Sequence, residues 1–218
     1  MNNKISVAIP TFNESQTIES LLNSLFNQTL LPDEIVISDG GSTDDTLKKI
    51  NLLKNDKINI KVIGRENKCR GAGRNAAIKE SKNNLIALID SGIIADKNWL
   101  NNLYQKIAKD DSVDIVFGAV KPIQKNYFSK ILTFFITGKS KSSGYLVPSV
   151  ASILINKKTF NKGLKFPESA DNRYIVEDLR YLWEINNLNF KTKYSLSALV
   201  HWDISTNFVQ TFKKYALY

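Results

Sequence analysis

Residues 5–14 read ISVAIPTFNE, and residues 33–46 read DEIVISDGGSTDDT. Each stretch contains a short apolar run that is followed at once by polar residues together with proline or glycine. A continuous apolar run of this length predicts a strand buried on both faces, and the polar residues predict the loop after it. Apolar residues at helical spacing follow both loops, so the pattern predicts strand–helix–strand units and a parallel sheet.

The same alternation continues along the chain. Apolar runs predict further strands at residues 58–63, 85–89 and 114–117, and a last strand that ends at Trp202. Helical spacing predicts helices at about residues 18–26, 47–53, 73–81, 99–107 and 176–187. The predicted fold class is α/β, a Rossmann-like, mainly parallel sheet flanked by helices. Because no linker or repeat is visible, residues 1–218 are predicted to form a single domain.

Composition excludes several kinds of site. The single cysteine, Cys69, excludes an internal disulfide and any CxxC zinc or redox motif, and the single histidine, His201, excludes an HExxH zinc centre. No apolar run approaches the roughly 18 residues that a membrane span requires. The first residues turn polar after a short apolar stretch, unlike a secretory signal, so we expect a cytoplasmic protein.

The positive charge is concentrated in one segment. The chain has 30 Lys and Arg against 21 Asp and Glu, and residues 121–165 contain nine lysines and no acid. A basic segment on an otherwise balanced chain predicts a local anionic partner, such as phosphates, a nucleic acid or an anionic membrane face. A solvated, lysine-rich surface without a partner is the alternative interpretation.

Polar residues follow three of the predicted strands. They are the stretches Pro10–Glu14, Asp39–Ser42 and Asp90–Gly92. Ligands of open parallel sheets bind outside the carboxyl ends of the strands, so we expect these stretches to form one site. Glycines in the second stretch permit close approach of a ligand to the backbone. Residues 65–75 add four basic side chains, and Arg70 or Arg74 could hold a diphosphate with forked donors.

Two short matches to nucleotide-binding motifs are less convincing. Residues 71–76 fit the spacing GxGxxA of a dinucleotide site, but Gly71 lies well beyond the end of the preceding predicted strand. Residues 138–140 read GKS, as at the end of a P-loop, but position 133 is threonine where that motif needs glycine. We therefore reject both interpretations.

Taken in order, the motifs resemble those of family 2 glycosyltransferases with the GT-A fold. The resemblance rests on the two opening stretches, on GAGRNAAI at 71–78, on LIALIDSG at 85–92, and on the pairs Glu177-Asp178 and His201-Trp202. It implies an enzyme that transfers a sugar, with inversion, from a nucleotide-diphosphate donor to a hydroxyl of a glycan or lipid-linked acceptor. The donor would be a UDP-sugar. It also implies a nucleotide-binding part at about 1–118 and an acceptor-binding part at about 119–218.

The resemblance assigns roles to individual residues. Asp178 would be the catalytic base, and Glu177 would be a catalytic residue as its neighbour or as a contact to the acceptor. Asp90, the first acid of the family's DxD motif, would meet a divalent metal, Mg²⁺ or Mn²⁺, with His201 as a further ligand. The nucleotide-binding residues would be Pro10, Thr11, Asn13, Glu14, Asp39, Gly41, Ser42, Gly71, Arg74, Asp90 and Ser91. From the residues alone, Glu177 and Asp178 could equally be acids that favour the first turn of a helix, and His201 could be a packed core residue.

One position departs from the family pattern. Gly92 stands where the second carboxylate of the DxD motif is expected, so the metal would be held more weakly, since hard cations prefer several oxygen ligands. A lysine or arginine side chain could instead supply part of the positive charge of the metal. Alternatively, the domain could be a non-catalytic nucleotide-sugar or glycan binding module. Residues 121–165 could also contact the inner face of a membrane. No nucleic-acid motif is present, so a nucleic-acid partner is not expected.

Overall fold

The computed structural model describes residues 4–54, 56–65, 69–137, 148–168 and 174–203. Its strands are β1 Ile5–Thr11, β2 Glu34–Asp39, β3 Asn59–Gly64, β4 Leu85–Ile89, β5 Ile93–Ala95, β6 Ile115–Ile123, β7 Ser152–Asn156 and β8 Thr192–Asp203. Its helices are α1 Ile18–Phe26, α2 Thr46–Leu52, α3 Arg70–Glu80, α4 Trp99–Ala108, α5 Tyr127–Thr137, α6 Lys157–Asn161 and α7 Tyr174–Asn187. Residues 138–147 of the lysine-rich segment, including the GKS match, lie outside the described ranges.

One sheet contains all of the described strands, in the order β3-β2-β1-β4-β7-β6-β8-β5. The first four of these pair in parallel, as the alternation of strands and helices predicted. The register places Thr11 beside Asp39, and Asp39 beside Gly64. The carboxyl ends of β1, β2 and β3 therefore meet at one edge of the sheet, which is where the polar stretches were expected to converge.

Several elements differ from the prediction. Strand β7 was not predicted, and it inserts antiparallel between β4 and β6. The three-residue strand β5 was also missed, and it pairs antiparallel with β8. Helix α3 begins at Arg70 rather than near Gly73. These elements are short, or they start without a capping side chain, so local sequence carried little signal for them.

Helices cover both faces of the sheet. Leu21 and Leu22 of α1 and Trp99 of α4 belong to one buried apolar cluster, whereas Ile78 of α3 and Tyr181 of α7 belong to the other. The strands supply both clusters because successive side chains point to opposite faces. Helices α3 and α7 therefore lie on the same face, and this common face brings their charged residues together.

The helices in the described part of the chain were compared with the length and hydropathy that a membrane span requires. None of these described helices is both long enough and apolar enough to cross a bilayer.

Glycine at position 118 is a steric requirement of the sheet. The pairing of β6 with β8 shifts register between Phe117 and Ala119. A Cβ atom added to Gly118 would lie 2.2 Å from Ser152 Oγ and 2.6 Å from the Ala198 carbonyl oxygen. Strands β7 and β8 thus approach β6 more closely than a side chain would allow.

We predict that Gly118→Ala lowers the free energy of unfolding by about 1–3 kcal/mol, because the added methyl overpacks a buried strand junction. Gly64→Ala is the matched control, since a Cβ there would meet no atom within 4 Å. Chemical denaturation of both variants measures the effect. Equal stability of the two would show that β6 is not packed as described.

Candidate donor and catalytic site

Arg74 lies at the centre of the candidate site. Its side chain is fully buried on α3, and its Nη2 atom donates to both carboxylate oxygens of Asp90 at 3.0 Å. Its Nη1 atom donates to Glu177 Oε1 at 2.7 Å and to Asp178 Oδ1 at 2.9 Å. One guanidinium therefore joins Asp90, the residue that follows β4, to the first turns of α7, whose two acids lie 103 and 104 residues beyond Arg74 in the chain.

The face of the same guanidinium packs on an aromatic pair. Its central carbon lies 4.9 Å from the centroid of the Phe166 ring, and that ring stacks on Tyr181 with centroids 3.8 Å apart. Asn75, the residue after Arg74, donates to the Phe166 carbonyl oxygen at 2.8 Å and accepts from the Phe166 amide at 3.0 Å. The Phe166 loop is thus fixed to α3, and it holds Arg74 in place by cation–π contact.

Two glycines on α3 allow this close packing. A Cβ at Gly71 would lie 2.0 Å from the Pro167 carbonyl oxygen and 3.2 Å from Glu177 Oε1. A Cβ at Gly73 would lie 2.5 Å from Nη2 of Arg65. The glycine pair that imitates a dinucleotide motif is therefore explained by packing. The nucleotide-binding role of Gly71 stays a prediction.

The two acids of α7 are in different environments. The Glu177 side chain is 5% exposed, whereas the Asp178 side chain is 44% exposed. Burial raises the pKa of Glu177, although Arg74 acts in the opposite direction. Burial alone would lower the pKa of Arg74, but its three carboxylate partners outweigh that and raise it. Arg74 is therefore a permanent cation, and Asp178 is the acid of the pair that an incoming substrate can reach.

The loops after β1 and β2 are tied to each other. Asp39 Oδ2 accepts from the amides of Gly41 and Ser42 at 2.9 Å each, and Ser42 Oγ donates to Asp39 Oδ1 at 2.5 Å. The Asn13 amide donates to Ser42 Oγ at 2.9 Å, and Asn13 Oδ1 accepts from the Thr43 amide at 2.9 Å. Asn13 and Gly41 both have positive φ, which turns these two loops towards each other.

The remaining residues predicted to bind nucleotide lie at the same edge. Pro10 pairs with Ser38 inside the sheet, and Ser91 is buried in the turn after β4. Thr11 is buried, and its hydroxyl has no hydrogen-bond partner within the described residues. Glu14 accepts a 2.5 Å hydrogen bond from the Thr17 hydroxyl. A buried hydroxyl without a partner at a ligand-binding edge is a group that a bound ligand can satisfy.

Arg65 connects the two halves of the site, and no role of its own was predicted for it from the sequence. Its amide donates to the Asp39 carbonyl oxygen at 2.9 Å, and its Nε donates to Ser38 Oγ at 3.0 Å. Its guanidinium packs against Gly73, next to Arg74. The basic stretch 65–75 was the signal that could have pointed to it. Phe166 and Tyr181 had no comparable signal, because neither belongs to a motif.

The expected metal ligands have other partners here. His201 Nε2 lies 2.8 Å from Asp96 Oδ1, and Asp90 is held by Arg74. Gly92 contributes no ligand, and Glu14 Oε2 lies 3.9 Å from the place where a Cβ of residue 92 would be. In the described ranges no group of three or more His, Cys, Asp or Glu residues is arranged to hold a metal. The assignment of Asp90 and His201 as ligands stays a prediction.

Comparison with known proteins identifies the family. The model of the family described as glycosyl transferase family 2 matches residues 6–169, which is more than half of the chain. The chain belongs to glycosyl transferase family 2. The resemblance predicted from the motifs is thereby confirmed.

Curated relatives of this family 2 domain include glycosyltransferase GlyG of Streptococcus pneumoniae serotype 4, which is 26% identical over 200 residues, 78% of this chain and 64% of the relative. Another is the poly(ribitol-phosphate) beta-glucosyltransferase of Bacillus spizizenii, which is 36% identical over 124 residues, 55% of this chain and 19% of the relative. The chain thus spans less than two thirds of the length of either relative.

Solved structures confirm the GT-A fold. Staphylococcus aureus TarS residues 1–349 in complex with UDP-GlcNAc superposes with a TM-score of 0.71 at 23% identity, covering 94% of this chain and 59% of that one. The mannosyltransferase PcManGT of Pyrobaculum calidifontis, in complex with GDP-Man and Mn²⁺, gives a TM-score of 0.71 at 14% identity, with 98% and 60% covered. At these identities the likeness shows the fold alone.

Proposed function

We propose that this family 2 domain transfers a sugar, with inversion at the anomeric carbon, from a UDP-sugar to a hydroxyl of a glycan or lipid-linked acceptor. The observation that carries the proposal is the meeting of Asp90 and Asp178 on one buried guanidinium, Arg74. The meeting point lies at the carboxyl end of β4. The fold as a whole is shared with neighbours solved with UDP-GlcNAc and GDP-Man. The acceptor would belong to polysaccharide, glycolipid or cell-envelope glycan synthesis.

The donor would bind along the carboxyl edge of the parallel strands. The loops after β1 and β2 would receive the nucleoside, with Asp39 beside the base and the unpartnered Thr11 hydroxyl as a further donor or acceptor. The diphosphate would extend towards Asp90, near which Arg70 also lies, with Nη1 3.8 Å from Asp90 Oδ2. Exposed arginine suits this role, because its forked donors match phosphate oxygens.

Asp178 would act as the general base. Its carboxylate reaches solvent while Arg74 fixes its position, so it can accept the proton of an acceptor hydroxyl held in front of it. The hydroxyl oxygen then forms a bond to the anomeric carbon from the face opposite the diphosphate. The bond from that carbon to the diphosphate oxygen breaks with its electron pair on oxygen. Glu177 is buried and would stabilise the charge of Arg74 rather than touch the substrate.

The residues present fit a divalent cation held mainly by the donor. Mg²⁺ is commonly bound through one or two carboxylates together with substrate phosphates and water, and Asp90 supplies one such carboxylate here. When bound, the cation would neutralise charge on the departing diphosphate. The missing acid at position 92 predicts that the protein alone holds the cation weakly.

We predict that Asp178→Asn lowers the turnover of the UDP-sugar by about 10²- to 10⁴-fold, because the amide cannot accept the acceptor proton. UDP affinity, measured by titration calorimetry, should not change. Release of UDP with a panel of UDP-sugars and acceptors measures turnover, and Asp111→Asn, at an exposed position, is the control. Normal turnover in Asp178→Asn would exclude this residue as the base.

We also predict that Mn²⁺ binds tightly only when UDP is present, and that Asp90→Asn weakens this joint binding. Electron paramagnetic resonance of free Mn²⁺ measures it without any turnover, again with Asp111→Asn as the control. Equally tight Mn²⁺ binding without UDP would contradict a site in which the donor supplies most ligands.

A non-catalytic nucleotide-sugar binding module is the second candidate. Gly92 favours it, since the position lacks the carboxylate that the family pattern expects. Such a module would bind UDP but would release no sugar from any UDP-sugar with any acceptor, and Asp178→Asn would then change nothing. The turnover measurements therefore separate the two candidates.

A further inference from the structure

A cavity of about 390 Å³ lies beside the candidate site, between α7 and the loop that contains Phe166. Its volume falls in the range of small-molecule sites, which is about 300–1,000 Å³. Phe166 lines the cavity and also packs against Arg74 and Tyr181. The cavity and the candidate site therefore share this loop as a common wall.

Helix α7 forms the opposite wall. The cavity is lined on this side by Arg180, Glu184 and Leu188, which are four residues apart. They therefore lie on one side of the helix, and Leu188 directly follows its last residue, Asn187. Glu177 and Asp178, on the preceding turn, point to Arg74 instead. Arg180 follows Glu177 by three residues, so the two lie about one turn apart on the same side of the helix, whereas the Asp178 side chain points to a different side. The cavity thus begins about one helical turn beyond Glu177, which contacts the same guanidinium as the proposed base.

Three cations surround the cavity. They are Lys162, Lys165 and Arg180, and all three are exposed. In the described part of the chain no carboxylate lies within ion-pair distance of them, although Lys165 Nζ is 5.4 Å from the centroid of the Phe160 ring. Three cations against the two lining carboxylates of Glu168 and Glu184 leave an excess of positive charge among the described lining residues, which favours an anion such as a phosphate.

The other lining groups suit a ligand larger than a bare phosphate. Glu184 offers carboxylate oxygens that can accept hydrogen bonds from hydroxyl groups, whereas Glu168 Oε1 already accepts from Asn75 Nδ2 at 2.7 Å. Pro167 and Leu188 offer apolar surface for carbon-bound hydrogens. A ligand that uses all of these groups carries a phosphate, several hydroxyls and a short carbon chain or ring. This combination is the chemistry of a sugar phosphate or a polyol phosphate.

We propose that this cavity binds a phosphate-bearing sugar or polyol unit of the acceptor, about one turn of α7 beyond the acids that Arg74 holds. The part played by the acceptor rests on the proposed function, whereas binding of the phosphate unit does not. The proposal gives a role to the end of the lysine-rich segment at Lys162 and Lys165. A second unit of a chain-like acceptor, bound here, would help to orient the first unit towards the base.

The test uses glycerol 3-phosphate as the probe, titrated by calorimetry in the absence of UDP. We expect saturable binding to the unaltered protein, and binding about five- to twentyfold weaker to Lys162→Gln/Lys165→Gln, since each exposed ion pair contributes up to about 1 kcal/mol. Lys106→Gln/Lys109→Gln removes the same charge from exposed positions at the end of α4, on the other face of the sheet, and should bind like the unaltered protein. UDP affinity should be the same in all three proteins.

Three results would overturn the proposal. Glycerol 3-phosphate could bind the two double variants equally, or UDP could displace it, which would place it in the donor site. Alternatively, vesicles containing anionic phospholipid could bind through Lys162 and Lys165 while glycerol 3-phosphate does not, which would assign these lysines to a lipid surface. Failure of the proposed function would appear separately, as absent UDP binding or absent turnover, because the glycerol 3-phosphate titration needs neither.

Discussion

The site depends on one buried cation. Arg74 has no exposed surface, and an isolated charge in such a position would be very unfavourable unless it were paired and hydrogen-bonded. Three carboxylates meet this requirement: Asp90 at the end of β4, and Glu177 and Asp178 on α7. These residues are far apart in the chain, so the same electrostatic constraint that stabilises Arg74 also assembles the site.

The three acids around Arg74 differ in exposure and in their proposed roles. Glu177 is buried against Arg74, and it shares the space above Gly71 with Pro167. Asp178 and Asp90 keep part of their surface exposed, one where an acceptor would approach and the other where a diphosphate would lie. A neutral side chain at position 74 would leave the three carboxylates close together without a cation, and they would repel one another. The guanidinium is thus a condition for placing a donor-binding acid and a base in the same cleft.

Much of the fold could be predicted from the sequence because its signals are local. Buried apolar runs and helical spacing gave β1 to β4, α1, α2 and α4 to within a residue or two. Strand β7 has the same kind of apolar run, in Ile153–Ile155, but it was overlooked inside the lysine-rich segment, and its antiparallel place between β4 and β6 follows only from long-range pairing. The same limit applies to the three-residue β5.

The site was predicted less completely, because contacts between distant residues leave no local pattern. The family resemblance named Asp90, Arg74 and Asp178, with Arg74 among the residues that would bind the nucleotide. In the structure Arg74 holds the carboxylates themselves. The stack of Phe166 on Tyr181 beneath it belongs to no motif and needed coordinates to be seen.

A double-mutant cycle on Arg74 and Glu177, measured by chemical denaturation, tests whether the buried guanidinium holds the site together. We predict that Arg74→Met costs about 3–5 kcal/mol of unfolding free energy, because it leaves buried carboxylates uncompensated. Adding Glu177→Gln should recover part of that loss, which gives a coupling of at least about 1 kcal/mol between the two residues. Additive effects, or a loss below about 1 kcal/mol in Arg74→Met, would contradict the central role of the buried guanidinium.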